Sequence, residues 1–354
     1  MRLKDRKALE IALSRPPEET QITRRPDRVK KFLIGRMKEF VFNDIPEDRR
    51  REAGIPDSFR GAPIPLCEED LHDIKEGRGV KADMIAKNMA YVIGIDPQFR
   101  FMAQYADFLE TVLGSRATEK IASKGRAFED VEQLEDACIM YRASLVLDFK
   151  NRLGMYGYAR TLYTMYSKGG STDYVGTLKA ESFEFFEMLT EFYPRFDGGW
   201  YFVGYMYLNQ GLYAKARFAW QRFLEESRDE KDKKEIRDRI RQIEEPVHIE
   251  SGYNAALAGR WDEAIETLEP YRESVYNDWW PLWYSLGVSY METWRYEDAI
   301  IAFKDALKGN PRHVPSMEQL VKAYVELEDE VNAKKYEEKI KLVSKKKLFS
   351  SQSS

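Results

Sequence analysis

Three histidines and two cysteines are the side chains in this sequence best suited to metal binding, nucleophilic attack or general-base work: His72, His248, His313, Cys67 and Cys138. A zinc site needs about four clustered ligands. No histidine here stands beside a cysteine or another histidine. The spacings that carry known chemistry, H-E-x-x-H, G-x-x-x-x-G-K-[ST], G-x-G-x-x-G and G-x-S-x-G, are all missing. His248 with Glu250 reads as a helix start rather than a catalytic pair. Glu68-Glu69, Glu225-Glu226 and Glu337-Glu338 read as solvated faces, because nothing nearby in sequence would bury one of them as a general acid. The two cysteines read as small apolar residues. The sequence therefore predicts no catalytic residue, no metal and no cofactor.

What recurs at fixed spacing is aromatic and small. Trp283, Leu286, Gly287 and Tyr290 form W-x2-L-G-x2-Y, and Tyr296, Ala299, Phe303, Ala306 and Pro311 follow. The first group shares one stripe of a helix and the second group one stripe of the next. Gly287, Ala299 and Ala306 let the two helices approach, the rings fill the gap, and Pro311 stops the second helix. One such hairpin cannot bury its apolar stripe alone, so stacked neighbours are implied. The small position recurs at Gly204, Gly252, Gly287 and Val321, with Gly252 to Gly287 spanning 35 residues and Gly287 to Val321 spanning 34. Trp200, Val203, Gly204, Tyr207, Tyr213, Ala216 and Trp220 make a second clear unit, and Gly252, Ala255, Trp261, Ala264 and Leu268 a third. Trp200, Trp220, Trp261, Trp283 and Phe303 are expected in the core.

These residues resemble the tetratricopeptide repeat (TPR) family, most specifically at Trp283–Pro311. The resemblance implies an all-α fold, a right-handed α-solenoid of stacked antiparallel helix hairpins whose first helices line a concave groove. It further implies a protein- or peptide-binding surface and no catalysis. Some TPR domains grip a peptide carboxylate with lysines and asparagines on the first helices. The matching positions here are Tyr201, Tyr205 and Asn209, then Tyr253, then Tyr284 and Val288, and in a weaker unit Tyr156, Arg160 and Tyr163. Only Arg160 and Asn209 suit a carboxylate, so the expected lining is aromatic and apolar, a kind of surface that gives contact area at low entropic cost.

The rest of the chain is laid out around these units. Residues 1–97 are read as a basic N-terminal arm and helical cap region. Within them an amphipathic helix is expected from Asp27 to about Phe42, a loop from Ile55 to Pro65, and helices at Glu68–Lys75 and Ala82–Ile93. Residues 98–345 are read as the solenoid: degenerate units over 98–195, clear units at 197–224, 245–279 and 280–313, a C-terminal unit at 314–345, and a charged helical insert at 225–244. In the degenerate part, Met102, Tyr105, Ala106 and Leu109 are paired with Ala137, Tyr141 and Ser144, leaving Gly114–Ala127 as a long connection. Residues 346–354 are read as a flexible tail.

Composition sets the outer limits. The 354 residues include 56 Lys+Arg and 60 Asp+Glu, a net charge of −4, with 43% hydrophobic and 13% aromatic residues. That is the make-up of an ordered domain and not of a general polyanion binder. No apolar run reaches the roughly 20 residues of a membrane helix, the start lacks a signal-peptide core, and two cysteines support no disulfide framework, so a cytoplasmic protein is expected. The basic run Arg24-Arg25 to Lys38 is open to two readings: contact with nucleic acid phosphates, an anionic membrane or an acidic partner, or dispersed salt bridges that cap the solenoid. Two functions follow. One is a non-enzymatic scaffold or adaptor holding a peptide or partner protein in the concave groove. The alternative is a peptide-sensing transcriptional regulator whose helix-turn-helix-like run, Glu68 to Ile93, binds DNA; its second helix offers only Lys81 and Lys87 to a major groove, which disfavours nucleic acid as partner. Partner identity and oligomeric state are not written in the sequence.

Overall fold

The computed structural model describes residues 25–43, 55, 59, 62–79 and 81–350, with side chains to 343. The chain divides into two compact units, Met1–Val203 and Gly204–Ser354. Both are built of antiparallel helix hairpins, as expected.

The first unit opens with α1 (Lys30–Leu33), a 3₁₀ turn (Ile34–Glu39) and β1 (Val41–Asn43). This corrects the expected helix from Asp27 to Phe42. Gly35 weakens a helix at its middle, and Val41-Phe42 pairs instead with β2 (Ile64–Leu66), in the register Val41↔Leu66. β2 lies in the stretch expected as loop. Its Pro65 is tolerated because a two-stranded ribbon consists of edges only, and Ile64 and Leu66 are buried. Asp27 lies just ahead of α1, whose N-cap position is Val29, and its carboxylate accepts from the N–H groups of Val29 at 3.2 Å and Lys30 at 3.0 Å.

After these come α2 (Glu68–Lys75), α3 (Ala82–Ile95), α4 (Met102–Leu113), α5 (Ala117–Asp130), α6 (Leu134–Leu147), α7 (Arg152–Ser167) and α8 (Thr172–Phe192). The expected pairing of α4 with α6 is wrong. The supposed connection at Gly114–Ala127 is mostly α5, and it is α5 that forms the hairpin with α6, while α4 packs on α3. The reason lies in Gly125 and Gly157. A Cβ on either would meet the Tyr141 ring, at 3.0 Å and 2.1 Å, so these two glycines let α5 and α7 close on one buried tyrosine. Along α3, Ile85, Ala86 and every residue from Asn88 to Ile95 are buried. Asn88 donates to the Pro65 carbonyl at 3.0 Å, which fastens β2 to that helix.

Five cations of the basic run pair with acids of the surrounding helices and caps. Lys30 pairs with Asp96 at 2.7 Å, Lys31 with Asp173 at 2.6 Å and Arg36 with Asp136 at 2.9 Å; Arg25 and Arg28 both meet Glu184. Arg24 lies outside the described residues.

α9 (Asp197–Leu208) carries the boundary between the units. The second unit continues with α10 (Tyr213–Glu226), α11 (Glu230–Gln242), α12 (Glu244–Leu257), α13 (Trp261–Leu268), α14 (Trp280–Glu292), α15 (Tyr296–Gly309), α16 (Val314–Glu326) and α17 (Glu330–Ser350). The charged insert is α11, solvated except for the stripe on which Ile236 is buried. Each small residue faces a large one sixteen positions on: a Cβ at Gly204 would sit 2.2 Å from Trp220, at Gly252 2.6 Å from Leu268, and at Gly287 2.6 Å from Phe303. The turns repeat as well. Gly211, Gly259, Trp294 and Glu328 all take positive φ, and so does Glu132 between α5 and α6. In every one of these turns the next residue's N–H bonds a carbonyl five residues back, for example Arg295 to Tyr290 at 2.8 Å and Gln133 to Phe128 at 2.9 Å, closing the first helix in a left-handed cap. A continuous core runs from Ile249 through Leu286 and Phe303 to Tyr336. Trp220, Trp283 and Phe303 are core residues, whereas Trp200 and Trp261 are only half-buried, a correction to the expectation for those two.

Candidate functional site

An apolar concavity of about 910 Å³ in the second unit is walled by one face of α12 and the start of α14. α12 contributes Pro246, Ile249, Glu250, Tyr253 and Asn254, an i, i+3, i+4, i+7, i+8 set that lies on one helical face. α14 contributes Trp280, Pro281 and Tyr284, and His313 stands at the cap of α16. The turn Gln210–Tyr213 closes one side, and Tyr276, Asp278 and Trp279 of the α13–α14 connection close the other. This volume is within the range that seats several ligand groups at once.

The connection is held in place by short-range bonding. The Tyr276 N–H bonds the Ser274 hydroxyl at 3.2 Å, the Trp279 N–H bonds the Tyr276 carbonyl at 3.0 Å, and the Trp283 indole donates to the Asn277 carbonyl. Gly309 at the end of α15 permits the approach, since a Cβ there would lie 2.9 Å from the Asp278 carbonyl and 3.0 Å from Trp280. His313 lies tilted against Trp280 at 4.3 Å, meets Tyr284 edge-on at 4.8 Å and shares a 2.7 Å hydrogen bond with Ser316. Burial pushes its imidazole below the ordinary histidine value, favouring the neutral ring. One Glu250 oxygen accepts the Ala214 N–H at 2.7 Å, which joins α12 to the start of α10.

Of the residues singled out from sequence, the structure brings Tyr253 and Tyr284 together on this wall. Val288 packs against the core behind it. Tyr205 lies edge-on to Trp220 at 5.0 Å and bonds Glu235; Asn209 is exposed at the end of α9. The other four belong to the first unit. Tyr156 meets Phe196 at 4.9 Å, Tyr163 meets Phe202 at 5.5 Å, and Tyr201 meets Phe202 at 5.3 Å, in a mutually packed aromatic cluster. Arg160 is paired with Glu129 at 3.0 Å. Counting positions along the first helices misses Tyr213 and Trp280, which open α10 and α14, and Tyr276, Trp279 and His313, which come from a connection and a cap. A signal was present in Trp279-Trp280-Pro281: two adjacent tryptophans ahead of a helix-starting proline are not needed by the helical pattern.

Residues 281–313, covering α14 and α15 and the wall residues Tyr284 and His313, match the family model described as Tetratricopeptide repeat. The chain carries a tetratricopeptide repeat. No curated protein matches the sequence. Among solved structures it is similar to a MamA RS-1 ArsTM double mutant, with 16% identity over 55% of this chain and 96% of that one and a TM-score of 0.34. It is similar to MamA from Desulfovibrio magneticus RS-1, with 16% identity over 53% and 96% and a TM-score of 0.33. It is also similar to the TPR domain of P58(IPK), with 20% identity over 66% of each chain and a TM-score of 0.35. The matched repeat includes the wall residues Pro281, Tyr284 and His313. Among the described residues no three His, Cys, Asp or Glu side chains gather as a metal site would require, and no helix is long and apolar enough to cross a membrane.

Proposed function

We propose that this chain is a non-enzymatic interaction scaffold that holds an extended peptide segment of a partner protein in the groove of its second unit. The observation that carries the reading is the concavity of about 910 Å³ on the first helices of the TPR hairpins, walled by tyrosine and tryptophan and edged by the amides of Gln210 and Asn254. Aromatic walls supply area and amides supply partners for a peptide backbone. The regulator reading is not taken up, because α3 is buried from Asn88 to Ile95 and its accessible start sets Asp83 beside Lys81 and Lys87, a weak charge for a DNA groove.

The test is capture of partners by the full chain compared with the Tyr253→Ala/Tyr284→Ala variant, whose fold is checked by circular dichroism. Both rings are half-buried on the groove side, so truncation should reduce recovery about tenfold or more. Equal recovery by the variant would remove the groove from the proposal.

A further inference from the structure

The geometry points to a positively charged occupant: an arginine or lysine side chain, presented by an extended segment of the partner, inserts among the rings of the groove. This rests on the peptide-binding reading and names the chemistry of what is bound. Three observations lead there. First, the wall presents six π-systems, Tyr213, Tyr253, Tyr276, Trp279, Trp280 and Tyr284, around one space. Ring faces attract cations through their quadrupole, and tryptophan does so most strongly.

Second, the charged groups on the wall are of one sign. Glu250 and Asp278 line the groove, and among the described residues no lysine or arginine does. An acidic segment or a carboxylate terminus would meet two carboxylates and no cation, whereas a guanidinium or ammonium would meet both carboxylates and the rings. Third, the surroundings carry the same field. Burial first, and then the nearby charge of Glu245, raises the Tyr276 phenol above the ordinary tyrosine value. Burial and then Glu318 do the same to Tyr284. His313 adds no opposing charge at neutral pH, since burial holds it in the neutral form.

The experiment uses the full chain and two probes of equal size, acetyl-Leu-Gly-Arg-Gly-Leu-amide and the same peptide with citrulline in place of arginine. Binding is followed by tryptophan fluorescence and calorimetry. The arginine peptide should bind about tenfold tighter than the citrulline peptide at low salt, and the preference should shrink as salt is raised. In the Glu250→Gln/Asp278→Asn variant the preference should fall to about threefold or less, the part left to the rings. The amide oxygen at position 250 still accepts the Ala214 N–H, so the α10–α12 link survives. Equal affinity of the two peptides for the unsubstituted chain overturns the cationic occupant and leaves the peptide groove standing. A preference for arginine that the double substitution does not change overturns the role given to the two carboxylates. No binding of either peptide at about 1 mM overturns the cationic occupant as well, while partner capture with the tyrosine variant still decides on the groove.

Discussion

At the scale of single residues, the hairpins are specified by what must be small and what must turn. Three of the five left-handed turn positions hold residues other than glycine: Glu132, Trp294 and Glu328, with φ of 58°, 59° and 57°. A side chain in that conformation costs about 1–2 kcal/mol, while a glycine adds about 0.5–1 kcal/mol of unfolded-chain entropy. The first term is larger. Trp294 is 79% exposed, so little burial is lost with its ring. Trp294→Gly is therefore expected to stabilise the fold by about 0.5–1 kcal/mol. A rise in the urea midpoint at unchanged slope is the reading that agrees; a fall would mean that the indole has a role in the fold which its exposure hides. Gly211 and Glu328 serve the same turn, so the position tolerates other residues wherever the cap hydrogen bonds are kept.

At the scale of elements, one ion pair ties the N-terminal segment to α6. Arg142 is buried, donates to both Asp27 oxygens at 3.0 Å and 2.6 Å, and donates to the Gly94 carbonyl at 2.6 Å. Burial pulls the Asp27 carboxyl up, but the charge and hydrogen bonds of Arg142 and the Lys30 and Val29 N–H groups together bring it below its ordinary value of 3.8. A carboxyl lowered in the folded state contributes stability above the ordinary value and loses it as pH falls through the folded one. Arg142→Met leaves the Asp27 charge buried without its partner and should destabilise the first unit by about 3–5 kcal/mol at neutral pH. Denaturant titrations at several pH values should show that deficit narrowing as pH falls from neutral, because burial without Arg142 raises the Asp27 carboxyl of the variant and it protonates before that of the unsubstituted chain. A deficit unchanged down to about pH 3 would assign the loss to packing instead. Nothing in the sequence near Asp27 points to position 142, because an arginine on an otherwise apolar helix reads as its solvent-facing residue. The place of Asp27 at the head of that segment was legible, since its bonds need only the N–H groups two and three residues on.

For the whole molecule, legibility follows how far apart in sequence the partners of each contact stand. From Gly204 onward the small residue, the ring sixteen positions later and the turn seven positions later recur within a single hairpin, so pattern reading finds the units. The α5–α6 hairpin obeys the same rule with Gly125, Tyr141 and Glu132, but its first helix lacks the leading tryptophan and so reads as a connection. The groove was half legible: Tyr253 and Tyr284 sit at counted positions, whereas Trp279 and Tyr276 depend on how one connection folds back, which no local period encodes. An array of this kind is held by contacts within hairpins and between adjacent ones, so damage should fade along the stack. Gly287→Leu tests this within Gly204–Ser354. A Cβ at 287 would already lie 2.6 Å from the fully buried Phe303, and the larger side chain should cost about 1–3 kcal/mol. Hydrogen exchange should then accelerate most in α14 and α15, less in α13 and α16, and least in α10 and α11. Uniform acceleration from α10 to α17 would show that the second unit unfolds as one cooperative block and not as a stack of neighbours.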